Sequence, residues 1–187
     1  PKARFIPNGF PDKKMAGEQS DILFTDHQAR RGMTPPWDNG KRAKEYRAIM
    51  GKKPIGGIFS MGVEEPYRWK DSVQSEAEVR TWVADGTANG MRPWYTKFSG
   101  TLYDNRWLSF VEDIYSWHHK AENYLRNEKP LASVGMLYSE QTERYYGGEK
   151  HQNRVGDFGS GMYHALIEAR VPFEMVHDLC LDSDHID

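Results

Sequence analysis

Two adjacent acids, Glu64 and Glu65, open the part of this chain best equipped for bond-breaking chemistry, and Arg68, Trp69 and Lys70 follow closely. A carboxylate can serve as nucleophile or general base, or as general acid when its proton is retained. Cleaving an acetal link between sugars takes two carboxyl groups, roughly 5–5.5 Å apart for retention of configuration and roughly 6.5–9.5 Å for inversion. Glu64 and Glu65 cannot be that pair, because neighbouring side chains on an extended segment diverge. One can face a substrate while the other bonds Arg68 or Lys70; the alternative is that both are solvated loop charges. A second cluster, Asp26, His27, Gln28, Arg30 and Arg31, sets an imidazole beside a carboxylate. Such a pair can bind hydroxyl groups or tune another acid, or it can simply hold its own loop. Lys97 adds a cation able to bind a hydroxyl or to lower a carboxylate's pKa.

Other chemistry-bearing residues carry less. His118 and His119 stand in mid-helix, and His118 lies on an apolar stripe, which fits a satisfied core residue better than a ligand. No HExxH or comparable ligand spacing occurs, so neither a protein-bound metal nor a cofactor is called for. The glycines of RVGDFGSG lack the preceding strand and the full spacing of a dinucleotide fingerprint. Cys180, in HDLCLD, has no elbow glycines around it and reads as a small buried residue.

Strands and helices alternate around these clusters. Residues 21–25 (DILFT) and 55–59 (IGGIF) read as buried parallel strands, and 91–98 as a third. Asp26 and His27, Glu64 and Glu65, and Lys97 therefore all follow strand carboxyl ends, where α/β folds keep their sites. Ser75 and Glu78 make a capping box for a helix with Val79, Trp82, Val83 and Gly86 on one stripe, stopped by Gly90. Asp104 is expected to cap a longer helix burying Leu108, Val111, Ile114, Tyr115, His118 and Leu125. Residues 1–20 read as loop, as does RGMTPPWDNG, and residues 41–50 as a short helix ended by Gly51. Past a boundary at residues 127–130, a strand (LASVGMLY), a helix over 158–170 with Met162, Ala165, Leu166 and Ala169 inward, and a strand over 172–176 begin a separate sheet.

Composition narrows the partners. The 187 residues suit one domain or two small ones, and 38% hydrophobic content is enough for a core. With 25 basic against 27 acidic residues, the chain has no basic stripe for nucleic acid. No run approaches the roughly 18 apolar residues that span a membrane. A single cysteine excludes an intrachain disulfide. Aromatics make up 13%, and Trp37, Tyr67, Trp69, Trp94, Tyr95, Tyr145 and Tyr146 lie near strand ends or loops. Flat rings stack on the C–H faces of sugars; equally, they fill a large core. Both ends read as cut from a longer protein, so localisation stays open.

The run AEVRTWVADGTANGMRPWYTKF, followed by DNRWLSFVEDIYSWHHKAENYLRNEKPLASVGMLYSEQT, resembles the end of the (β/α)8 barrel of a glycoside hydrolase. It is similar to the bacterial group called hypothetical glycosyl hydrolase 6, related to the family 42 β-galactosidases. The tail, from YYGG through GMYHALIEARVPFEMVHD, is similar to the β-galactosidase trimerisation domain, of flavodoxin-like, class I amidotransferase-like fold. The resemblance covers about residues 20–187 and is most specific over 78–138.

It implies that residues 1–127 are the C-terminal part of a (β/α)8 TIM barrel and 131–187 the start of an assembly domain. It implies O-glycosyl hydrolysis, a carbohydrate partner, and a homo-oligomer such as a trimer for the full-length parent. In family 42 the nucleophile is a Glu after barrel strand 7 and the acid/base a Glu after strand 4. Residues 55–59 take the strand 7 position, so the segment that would supply the acid/base is absent. Ser60 and Met61 stand where the nucleophile belongs, and the nearest carboxylates are Glu64 and Glu65. Glu65, or Glu64, is then the expected catalytic residue, with Asp26, His27, Arg68, Trp69 and Lys97 around the substrate. A partial barrel leaves strand edges open and is expected to be inactive alone. The rival reading is a carbohydrate-binding or structural barrel that has lost its carboxylate. A free-standing amidotransferase-type domain is a third, which the missing elbow cysteine argues against.

Overall fold

The computed structural model describes residues 4–7, 12–30, 32–61, 73–96, 104–125, 129–146 and 155–181. Their order is α1 (Lys13–Gln19), β1 (Leu23–Thr25), α2 (Asp38–Met50), β2 (Ile55–Ser60), α3 (Glu76–Ala88), β3 (Met91–Thr96), α4 (Trp107–Ala121), β4 (Val134–Tyr138), α5 (Asp157–Glu168) and β5 (Phe173–His177). The chain is mixed α/β with parallel strands in two small sheets, one ordered β1-β2-β3 and the other β4-β5. Contacts divide it into a three-stranded unit, from residues 22–43 and 54–127, and a two-stranded unit, from 1–21, 44–53 and 128–187.

In the three-stranded unit the register Leu23↔Ile55↔Met91 puts one row of side chains on a common face. That row, Leu23, Thr25, Ile55, Phe59 and Met91, is buried. On it Phe59 joins a core of Met61, Val79, Trp82, Val83, Phe110, Val111 and Ile114, contributed largely by α3 and α4. The opposite face carries Phe24, Ile58, Arg92, Trp94 and Thr96, all half-buried or exposed. A Cβ on Gly56 would strike the Phe24 ring, so this glycine lets Phe24 lie flat across β2 and meet Trp94 edge-on at 4.8 Å. Parallel sheets are normally covered on both faces, so a half-bare apolar face is a feature to be explained.

The helices follow their local signals unevenly. Ser75 accepts the Glu78 N–H, and Gly90 takes φ +100 just past α3, both as expected. The start of α2 comes three residues earlier than the Asn39–Gly40 pair suggests. Tertiary partners replace the missing local signal: Asn39 donates to Trp82 O, and the Gly40 N–H to Asp85. Asp104 does not cap α4. It binds the backbone and guanidinium of Arg106, and the helix begins at Trp107 with no side-chain cap. The buried edge of α4 is Phe110, Val111 and Ile114, while Leu108 is 51% exposed. Tyr115, at the margin, uses its hydroxyl instead, accepting Tyr95 N–H at 2.8 Å and donating to Pro93 O, both on β3.

In the two-stranded unit, α1 replaces the loop expected over residues 1–20. Asp12 caps it, and Lys53 Nζ binds Gly17 O, Glu18 O and Ser20 O at its far end. Gly17 has no room for a side chain, since a Cβ there would run into Ile49 O. Tyr163 is the one residue of α5 fully buried, edge-on to Phe173, and Met162 is 56% exposed, contrary to the expected inward stripe. Two strands are too narrow a platform to cover four such positions. On β4, Val134 and Leu137 are likewise exposed.

Candidate functional site at the strand carboxyl ends

The three parallel strands of the larger sheet end at the same edge. After Thr25 the chain runs on beside β2, where Gln28 O accepts the Ser60 N–H at 3.1 Å. Asp26 is exposed and accepts from the buried Gln28 side chain at 3.0 Å. His27 is not paired with it. Its Nδ1 lies 3.4 Å from Asp38 Oδ2, at the start of α2, and the same oxygen accepts from Arg42 Nε at 2.8 Å. Burial works to raise the Asp38 pKa, but the bonds to His27 and Arg42 prevail and hold it at about 2. Asp38 is therefore a fixed anion beside His27, whose ring lies against Trp82 at 6.4 Å. Nearby, Arg30 reaches from the same loop to Glu78 at 3.2 Å and to Thr34 O at 3.0 Å.

Glu64, Glu65, Arg68 and Trp69 lie outside the described residues, as does Lys97, directly after β3. The residues on either side of 62–72 are described. The buried Gln74 gives its side-chain amide to Ser60 O at 3.1 Å and its backbone N–H to Met61 O at 3.0 Å. Gln74 is thus tied to the carboxyl end of β2, next to Met61. Sequence reasoning missed Gln74; its only signal is a polar residue next to the capping serine. Asp38 was missed because its partner is eleven positions upstream and on another element.

The aromatic candidates separate by strand alternation. Trp94, 48% exposed, faces the half-bare side of the sheet and is open to a ligand. Tyr95 points to the helices and stacks on Trp107 at 5.3 Å. Burial there, reinforced by Tyr115, pushes its phenol up to about 12, so Tyr95 keeps its proton. The void between the sheet and α3, lined by Asn39, Trp82, Gly86 and Met91 among others, measures about 10 Å³. That admits at most one water, so it is a packing gap and no substrate pocket.

Among the described residues, no group of three or more His, Cys, Asp or Glu is arranged to hold a metal ion, and no helix is long and apolar enough to cross a membrane. His118 is half-buried, edge-on to Trp117, and burial lowers its pKa. Cys180 is buried, and burial pushes its thiol up, opposite to an activated nucleophile. Compared with family models and with curated proteins, the chain matches none.

Proposed function

We propose that this chain is part of a glycoside hydrolase, with the three-stranded unit as the last βα units of a (β/α)8 barrel and residues 131–187 as the start of an amidotransferase-like assembly domain. The observation that carries this reading is a sheet of consecutive parallel strands that, among the described residues, helices cover on one face. Its other face is a half-bare apolar row, Phe24, Ile58 and Trp94. A barrel interior has this character when further strands complete it. Glu65, with Glu64 second, is the catalytic carboxylate, in the stretch of sequence between β2 and Gln74, whose side chain bonds Ser60 O. Asp26 and His27 from β1, Lys97 from β3, and Arg68 and Trp69 from the loop bind sugar hydroxyls and rings. The partner carboxyl group comes from a strand outside this sequence.

A second reading, a barrel that binds sugar without cleaving it, draws support from Ser60 and Met61. They occupy the family's nucleophile position and are 3% and 1% exposed. Both readings place a carbohydrate at the same edge. Titration of oligosaccharides into ¹⁵N-labelled protein should shift the amides of Asp26, His27, Ser60 and Thr96. Shifts confined to the two-stranded unit, or none with any sugar, would overturn the carbohydrate assignment.

A further inference from the structure

We infer that His177 is a proton-operated latch on the turn that follows β5. His177 has no exposed surface, and its Nδ1 accepts the Leu179 N–H at 3.2 Å, within the turn Asp178–Cys180. A ring nitrogen that accepts carries no proton, so the neutral ring keeps its hydrogen on Nε2. Nε2 faces Glu140 Oε2 at 3.6 Å, and both atoms are buried without a hydrogen-bond partner. The other Glu140 oxygen is taken by Arg144 at 3.0 Å. Nδ1 also stands 3.3 Å from Asp178 Oδ1. One nitrogen thus lies within reach of a donor and an acceptor, and its protonation state selects between them.

A second proton on the ring has to go to Nδ1. There it opposes the Leu179 N–H, donor against donor, and finds Asp178 Oδ1 as its acceptor. Asp178 is ready for this. Burial raises its pKa, but bonds from Ser139 Oγ at 2.6 Å and from the Gln141 and Glu140 amides outweigh burial and keep it charged. Among the described residues, the remaining groups facing the ring are Asp12 and Lys13 of α1, and Tyr138 of β4, edge-on at 5.3 Å. Burial disfavours the imidazolium, Asp178 favours it, Lys13 opposes it, and the net direction is downward. The turn therefore stays closed at neutral pH. Acid exchanges the partner of Nδ1, expels the Leu179 N–H and uncovers Cys180, which is 6% exposed when the turn is closed.

The test combines ring ¹⁵N spectra, with His177→Gln to assign the signal among seven histidines, and two reporters of the turn. These are Leu179 amide exchange, corrected for intrinsic rates, and the reaction of Cys180 with dithiodipyridine relative to an unfolded control. At pH 8 the ring should be the Nε2–H tautomer. Below about pH 6.5, until the closed form itself titrates, both rates should rise about tenfold per pH unit. His177→Gln should remove that dependence. An Nδ1–H tautomer at pH 8, a Leu179 amide still protected once His177 is protonated, or an unchanged pH step in the variant would overturn the latch. Should the variant not fold, the tautomer and the wild-type amide decide alone.

Discussion

Asp38→Asn should cost the three-stranded unit about 2 kcal/mol at pH 7, and the cost should vanish in acid. The Asp38 side chain is 16% exposed and holds Arg42 at 2.8 Å and His27 at 3.4 Å through one oxygen. Its pKa of about 2, against an ordinary 3.8, means that the folded state prefers the carboxylate. The contribution is complete above pH 3.8 and is lost as the pH falls from there through 2. Nearly two units at about 1.4 kcal/mol each, rounded down for partial screening, give roughly 2 kcal/mol. Urea unfolding of wild type and Asp38→Asn at pH 7 and pH 2 measures the gap. A gap of equal size at both values, or none at pH 7, would refute the assignment of Asp38 as the anion that holds His27.

Trp82→Ala removes the central indole of the α3 core, 2% exposed, and should destabilise by about 3–5 kcal/mol in urea. Gly17→Ala sets a methyl against Ile49 O and should cost about 1–3 kcal/mol. Gly161→Ala, on α5 with nothing within 4 Å, should instead add up to about 1 kcal/mol, as the two melting curves will show. Ser75→Ala leaves the Glu78 N–H without its cap and should lower stability by about 1 kcal/mol.

Local signals were legible where both cause and effect sit in one segment. The Ser75 cap, the Val79–Trp82–Val83 stripe and the stop at Gly90 appear as the sequence predicts, because a helix of this kind is set by its own residues. The parallel pairing of β2 with β3, and the separate β4-β5 sheet, follow from element alternation. What the sequence hid depends on remote partners. The first turn of α2 is satisfied by Trp82 O and Asp85, and α1 is secured by Lys53 and the backbone of Ile49; no local pattern announces either. The α4 stripe was misjudged by its margins, since Leu108 shares the apolar period yet is exposed, and Tyr115 meets β3 through its hydroxyl at the edge of the core. At the candidate site, strand order made the common carboxyl edge of β1, β2 and β3 readable. The pairing of His27 with Asp38, and the clasp by Gln74, needed coordinates.

Turnover of aryl glycosides by the intact protein bearing Glu65→Gln, with Glu64→Gln as control, tests the central claim most directly. The amide keeps the shape of the side chain and removes the charge that supports an oxocarbenium-like transition state. A loss of about two orders of magnitude or more for Glu65→Gln, with sugar binding retained and Glu64→Gln little affected, is the predicted result. Equal and small effects from both variants would contradict it, and would make the two glutamates solvated charges of a loop that binds sugar without cleaving it.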